Sequence, residues 1–181
     1  MWEPPAGHPL SRFFAGITEH AFLTTLGVAD PPLIDYLSGM LSRFIHIDSL
    51  YRLRGAGGQR LSELYQMIAE AEHLPAEGRT HREYHRHIGD FTLYWTGLFP
   101  ESIHRLERFS HKDPLLNFTT LGKRSYYLAS QFDDDNLRDE AAILRRLSEQ
   151  FELCAVGLRE VRREWEELAD QPLPPGTGLI Q

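Results

Sequence analysis

The sequence has little cysteine and no long apolar run. Its 181 residues include one cysteine, Cys154, so the chain cannot form an internal disulfide. The longest apolar-rich stretch, residues 88–100, is interrupted by Asp90 and is too short to span a bilayer. The first fourteen residues lack a basic segment followed by an apolar run, so we expect no signal peptide. These absences favour a soluble cytoplasmic protein that does not enter a membrane.

The sequence also lacks the short motifs of common nucleotide, hydrolase and zinc sites. It contains no GxxxxGK[ST] phosphate loop, no GxGxxG turn, no GxSxG segment and no CxxC pair. Acidic residues outnumber lysine and arginine by 26 to 19, which gives a formal net charge of −7. This balance disfavours binding to nucleic acid. From these observations we predict no cofactor and no metal.

What the sequence does have is apolar residues at helical spacing along most of its length. Asp30 is placed to cap a helix that begins at Pro31, and Gly27 is placed to end the helix before it. The RGAGG segment, Arg54 to Gly58, breaks the pattern, and Asp134 to Asn136 can cap a later helix. The stretch Ile45–Leu53 is the best candidate for a strand, although it fits a helix end and turn equally well.

The strongest periodic pattern lies near the C-terminus. Apolar residues alternate three and four apart, with charged residues between them, as on a helix with one apolar seam. We therefore predict one helix from about Leu137 to Ala169, which would be about 50 Å long. Six seam residues are candidates for contact with a partner: Leu144, Leu147, Phe151, Leu158, Val161 and Trp165. Cys154 falls on the same seam and is expected to act as a small core residue.

These patterns predict an all-α fold: a single elongated bundle of five to seven helices with a long C-terminal helix. The length and the hydrophobic fraction of 41% suit one domain over residues 1–181. We expect residues 1–8 to form an irregular arm and residues 170–181 an irregular tail. No internal repeat or second domain is evident.

One predicted helix carries polar residues at its centre. If residues 82–98 form one helix, His87, Asp90 and Tyr94 lie on one stripe with Gly97. The rest of that helix is apolar almost all round, so we expect it to be central and Asp90 to be buried. A buried carboxylate needs a charged or hydrogen-bonding partner. Gly89 and Gly97 are expected to allow close helix approach.

The segment LGKRSYY offers such partners in Lys123, Arg124, Tyr126 and Tyr127. One interpretation is a polar pocket in which His87 transfers protons and Asp90 orients it or a cation. A second is a core network that only stabilises the fold, and a third is that Gly89 ends one helix and Asp90 caps the next. The residues predicted to line the pocket are His87, Asp90, Tyr94, Lys123, Arg124 and Tyr127.

Two other patterns have a chemical interpretation. The spacing of Arg82 and His87 resembles the R-x4-6-H signature of HEPN-type ribonucleases. In that family the arginine and the histidine act on RNA at a dimer cleft. The pairs Glu70–His73 and Glu101–His104 resemble those of di-iron carboxylate bundles. Both pairs flank predicted loops, so we favour solvated helix ends over a metal site.

Several longer segments resemble an uncharacterised family of bacterial, largely helical proteins. The segments are LYRLRGAGG, YHRHIGDFTLYWTGLFPE, GKRSYYLAS and LSEQFELCAVGLREVRREW, in that order. The resemblance spans about residues 22 to 165 and implies one full-length domain in a bacterial cell. It carries no known activity and therefore assigns no catalytic residue.

Three functions follow from these observations. The first is a non-catalytic helical module that binds a protein partner or self-assembles through the C-terminal seam. The second is a small-molecule or metal pocket around His87 and Asp90, which could be enzymatic. The third is a HEPN-like ribonuclease that uses Arg82 and His87.

Overall fold

The chain is all-α, as its periodicity predicts. The computed structural model describes residues 7–106, 114–132 and 134–170. These residues form nine α-helices, more than the five to seven predicted, and no strand; a lone bridge between Arg54 and Arg60 closes a loop. In chain order the helices are α1 (Pro9–Glu19), α2 (Pro31–Phe44), α3 (Ile47–Leu50), α4 (Leu64–Glu72), α5 (Arg79–Leu98), α6 (Pro100–Leu106), α7 (Pro114–Ser130), α8 (Arg138–Glu149) and α9 (Phe151–Ala169).

The predicted helix starts and ends are largely confirmed. Asp30 caps α2: its carboxylate accepts a 3.3 Å hydrogen bond from the backbone N–H of Leu33. α1 runs on as a π-helical turn, His20–Thr25, and Gly27 follows with a φ of 67°. Asp134 accepts from the N–H of Asn136 before a short 3-10 turn. The strand interpretation of residues 45–53 is wrong, because α3 lies within them.

α5 is the central helix of the bundle. It packs against α7, α9, α4 and α6. It runs without a break through Gly89 and Asp90, so Asp90 is not a helix cap. The two predicted close approaches are confirmed: a Cβ on Gly89 would lie 2.6 Å from the ring of Tyr126, and one on Gly97 would lie 2.6 Å from the Cβ of Leu158. Small residues thus let α7 and α9 approach the α5 backbone directly.

The C-terminal helix differs from the prediction. Instead of one helix from Leu137 to Ala169, α8 and α9 meet at Gln150, whose φ of −112° and ψ of 27° are not helical. The break lets the two helices turn around α5 and α7 and so bury their apolar faces within the chain. The sequence pattern does not show this break, because the apolar residues Leu147 and Phe151 on either side of it are still four residues apart.

The predicted interaction seam lies in the protein's own core. Five of its six residues are fully buried, and the sixth, Trp165, is half-buried with its ring edge-on to Phe13 and Phe14. The five are Leu144, Leu147, Phe151, Leu158 and Val161. Cys154 is buried among them, as expected. The seam therefore holds the fold together and offers a partner little free surface.

Some predictions fall outside the described residues. They concern most of the arm at residues 1–8, nearly all of the tail at residues 170–181 and the side chain of His104. Among the described residues, no helix has both the length and the apolar character needed to cross a membrane.

Candidate functional site

Asp90 is the centre of a buried hydrogen-bond network between α2, α5 and α7. Its side chain is 2% exposed. Oδ1 accepts hydrogen bonds from the hydroxyls of Tyr36, at 2.7 Å, and Tyr126, at 2.9 Å. Nη2 of Arg43 lies 3.5 Å from Oδ2. Burial, and then the negative charge of Asp90, raise the pKa of both tyrosines well above the usual value, so both phenols remain protonated donors.

His87 lies one turn before Asp90 and has both ring nitrogens engaged. Nδ1 is 3.0 Å from Nε of Arg52, and Nε2 is 3.0 Å from the carbonyl oxygen of Leu50. Because an arginine N–H can only donate, Nδ1 is the acceptor and Nε2 carries the proton. Burial, and then the charge of Arg52, hold the pKa of His87 well below its usual value. His87 is thus a neutral imidazole that fixes Arg52, with no nitrogen free to move a proton.

A group of arginines surrounds these two residues. Arg82 is 1% exposed and pairs with Glu83, at 2.7 Å, and with Glu140. Arg86 pairs with the second oxygen of Glu140, at 2.9 Å. Arg82, Arg86 and Asp90 follow one another at four-residue steps, so they form one stripe on α5. This stripe joins α5 to α8 at one end and to α2 at the other.

The six residues predicted to line a pocket do not converge. His87 and Asp90 share a cavity of about 10 Å³, which is roughly the space of one water molecule. Tyr94 packs against the ring of Phe44, with centroids 5.5 Å apart. The three residues of α7 lie elsewhere. Lys123 pairs with Glu152 at 2.8 Å, Arg124 is exposed, and Tyr127 lies under the guanidinium of Arg145.

The partners found for Asp90 were predicted only in part. Tyr126 is among the predicted partners, whereas Tyr36 and Arg43 are not. They lie seven residues apart on α2, on the same face as the buried Met40, and this spacing is the signal that could have identified them. Arg52 was missed because it lies in an irregular segment, where no periodic pattern assigns a direction to a side chain.

An open cleft of about 800 Å³ lies next to this network, between the segment 46–54 and the first half of α5. Its size suits a small organic molecule. Arg52 and Ser49 line both the cleft and the small cavity beside Asp90, so the two spaces are adjacent. The cleft is lined by His46, Asp48, Ser49, Arg52, Leu53, Arg54, Arg79, Thr80, Glu83 and Tyr84.

The carboxylates of the cleft are already paired. Asp48 accepts from Arg60 at 2.7 Å, and Glu83 pairs with Arg82 at 2.7 Å. By contrast, within the described ranges neither Arg54 nor Arg79 forms an ion pair; Nη1 of Arg54 donates only to the carbonyl oxygens of Tyr51 and Leu53. The cleft therefore carries uncompensated positive charge in a protein whose net charge is −7.

Comparisons with protein-family models, curated proteins and solved structures find no match to this chain.

The other predicted chemistries have little support in this geometry. Arg82 and His87, the ribonuclease pair, are each 1% exposed and held by protein partners, so neither faces solvent. In the part of the chain that is described, no three His, Cys, Asp or Glu side chains lie together in an arrangement that could hold a metal ion. His73, from one of the predicted metal pairs, is exposed and contacts the carbonyl oxygen of Ala69.

A second histidine site lies on the other side of α5, at His85, two residues before His87. Nδ1 of His85 is 3.3 Å from Oγ of Ser125, and its ring packs against that of His81. Burial, and then the nearby His81 and Arg124, lower the pKa of His85 to about 4. The serine is also buried, at 1% exposed, so this pair is closed to substrate.

Proposed function

We propose that this protein binds a small organic anion in the cleft between residues 46–54 and α5. The observation that carries the proposal is the position of Arg52. One side of its guanidinium is fixed by His87, and the same side chain lines the open cleft. A fixed guanidinium is a good receptor for carboxylate or phosphate because it donates two parallel hydrogen bonds.

The hydrogen bonds of Arg52 leave it available to a ligand. Nε is fully used by His87, but Nη2 makes only longer contacts with Glu83, at 3.4 Å to the carbonyl oxygen and 3.6 Å to the carboxylate. In the described part of the chain Nη1 forms no hydrogen bond to the protein. An oxyanion in the cleft would supply the missing acceptors.

The surrounding side chains support the same ligand class. Arg54 and Arg79 add positive charge and pair with no carboxylate of the described residues. Ser49 and Thr80 add hydroxyl donors. The paired state of Asp48 and Glu83 reduces their repulsion of an anion. Binding, and not proton transfer, is the chemistry that these groups support, since His87 has no free nitrogen.

The proposal is tested by NMR titration of the ¹⁵N-labelled protein with inorganic phosphate and with butanoate. We expect saturable shifts of the amides in residues 46–54 and 79–84. Arg52→Gln removes the fixed donor and is expected to weaken binding about tenfold or more, because a hydrogen bond to a charged group contributes about 1.5–3 kcal/mol. Arg79→Gln, on the exposed rim, is expected to weaken binding less without disturbing the core.

Arg138→Gln is the matched control. Arg138 is 73% exposed, pairs with Asp135 and does not line the cleft, so this variant removes one positive charge from a surface outside the cleft. It should bind both anions as the unmodified protein does. Equal weakening by Arg138→Gln and Arg79→Gln would mean that only net charge is being sensed. No saturable shift in either segment would contradict the proposal.

A further inference from the structure

Three guanidinium groups line the cleft, and they come from both of its sides. Arg52 and Arg54 belong to the segment 46–54, whereas Arg79 is the first residue of α5. Arg54 and Arg79 form no ion pair with any described residue. The cleft therefore holds more guanidinium groups than the single one that the proposed anion site requires.

The two carboxylates that line the cleft do not cancel this charge. Asp48 accepts a 2.7 Å hydrogen bond from Arg60, and Glu83 pairs with Arg82 at 2.7 Å; neither arginine lines the cleft. The contact of Glu83 with Arg52 is longer, at 3.6 Å. Because each acid is balanced by an arginine outside the lining, the excess of positive charge at the cleft is more than one unit.

The N-terminus of α5 adds to this positive field. Arg79 and Thr80, which line the cleft, are the first two residues of this 20-residue helix. The N-cap residue, Gly78, has no side chain that could accept from the free N–H groups of the first turn. The helix dipole places partial positive charge at this end, and helix N-termini commonly bind phosphate groups. The helix end thus reinforces the field of the guanidinium groups.

We infer that the ligand of this cleft is a small phosphate monoester, bound as a dianion with its phosphoryl group at Arg52. The inference rests on the proposed function, because it requires that the cleft bind an oxyanion. It adds that the bound group is phosphoryl and not carboxylate. One guanidinium can pair with the single charge and both oxygens of a carboxylate. A carboxylate at Arg52 would therefore leave Arg54 and Arg79 without a counter-charge.

A phosphate monoester uses this excess charge better. Coulomb attraction is proportional to the charge of the ligand, so each guanidinium attracts a dianion twice as strongly as a monoanion at the same distance. A phosphoryl group also has a third terminal oxygen, and Ser49 and Thr80 line the cleft as hydroxyl donors. The charge and the donors of the cleft thus both favour a phosphoryl group.

The size of the cleft and the charge of the protein favour a small ligand. The cleft has a volume of about 800 Å³, which leaves space for an organic group beside the phosphoryl group. The net charge of −7 repels the surface of an anionic bilayer, whereas a single small anion experiences mainly the local field of the cleft. We therefore favour a dissolved ester over the headgroup of a membrane lipid.

The experiment compares methyl phosphate with methyl sulfate, which has the same shape but remains a monoanion. Calorimetric titration of the whole chain measures both affinities at pH 7.5 and at pH 5. At pH 7.5 we expect methyl phosphate to bind about fivefold or more tightly, which corresponds to the attraction between one additional charge and one nearby guanidinium in water. A phosphate monoester takes up a proton below about pH 6, so this preference should fall about threefold or more at pH 5.

The ratio of the two affinities separates the proton of the ligand from those of the protein. His46, Asp48 and Glu83 line the cleft, and protonation of any of them in acid would strengthen the binding of both esters. Only methyl phosphate itself loses a charge. Arg79→Gln should lower the ratio at pH 7.5, because the dianion loses twice the attraction that the monoanion loses. Arg138→Gln, outside the cleft, is the matched control and should leave the ratio unchanged.

The outcomes separate the two proposals. Equal binding of the two esters at pH 7.5, a preference that persists unchanged at pH 5, or binding of butanoate alone overturns the phosphate dianion and leaves the anion site standing. No binding of these esters, inorganic phosphate or butanoate overturns both. Vesicles of phosphatidic acid and a phosphoserine peptide present the same phosphoryl group on a larger carrier. Binding to either one without binding to methyl phosphate would overturn the small ligand in favour of a membrane or a phosphorylated protein.

Discussion

The hydroxyl of Tyr126 on α7 donates a 2.9 Å hydrogen bond to Oδ1 of Asp90 on α5. The same ring packs on Gly89, the residue before Asp90, where a Cβ would lie 2.6 Å from Cδ1 of the tyrosine. Gly89 and Asp90 thus both contact Tyr126: the glycine leaves space for its ring, and the carboxylate accepts a hydrogen bond from its hydroxyl. Close approach of the helices and burial of the acid are one structural arrangement.

Removal of the Tyr126 hydroxyl should destabilise the fold. Tyr126→Phe keeps the ring but leaves the buried carboxylate with one donor fewer, so we expect a loss of about 1.5–3 kcal/mol in the free energy of unfolding. The adjacent tyrosine is the control: Tyr127 is 41% exposed, and Tyr127→Phe should change stability by less than about 0.5 kcal/mol. Urea denaturation measures both; equal losses would show that the Asp90 bond contributes nothing specific.

A methyl group at Gly89 should also destabilise the protein. Gly89→Ala places the new carbon against a fully buried ring, and overpacking of this kind costs about 1–3 kcal/mol. Gly16→Ala, in the interior of α1, meets no atom within 4 Å. Alanine is favoured over glycine in a helix by up to about 1 kcal/mol, so Gly16→Ala should raise stability. Thermal unfolding of the two variants should therefore shift in opposite directions.

Periodicity was enough to predict the helical parts of this fold. Asp30 and Gly27 mark helix ends because capping and left-handed turns depend on local chemistry that a sequence displays directly. The burial of Asp90 also followed from its position in an apolar helix. The break at Gln150 could not be predicted in this way, because an apolar step of four residues is the same whether one helix continues or a second begins.

The candidate site was harder to predict, since it depends on side chains far apart in the sequence. Asp90 meets Tyr36, which is 54 residues away, and His87 meets Arg52, which is 35 away. Helical spacing shows which residues share a face but not which helix that face meets. Arg52 adds a second difficulty, because in an irregular segment the backbone, and not a repeat, sets the direction of the side chain.

The single cysteine provides a probe of the core. Cys154 is fully buried on α9, and burial raises the pKa of its thiol to about 12. A thiol that is neutral and covered should not react with a disulfide reagent such as dithionitrobenzoate while the protein is folded. It should react with one equivalent in denaturing urea. Rapid reaction of the native protein would mean that α9 leaves the bundle easily.

Acid should destabilise this protein partly through two buried histidines. Burial lowers the pKa of His85 to about 4 and that of His87 well below its usual value of 6.5. Between about pH 6.5 and pH 4 the unfolded chain binds protons at these positions and the folded chain does not, so folding stability falls as the pH falls. Above about pH 6.5 these histidines are neutral in both the folded and the unfolded chain, so this loss of stability is absent.

The measurement is the free energy of unfolding at pH 7.5 and at pH 5. His85→Gln removes one of the two groups and is expected to reduce the difference between the two pH values, whatever its effect on stability at pH 7.5. His73→Gln is the control, because His73 is exposed at the end of α4. Among the described residues its ring nitrogen contacts only the carbonyl oxygen of Ala69. This change should leave the difference in the free energy of unfolding between the two pH values unaltered. Carboxylates also lose charge in acid, but they do so equally in both variants, so the comparison isolates the histidine. An unchanged pH dependence in His85→Gln would mean that His85 takes up a proton as readily in the folded chain as in the unfolded one.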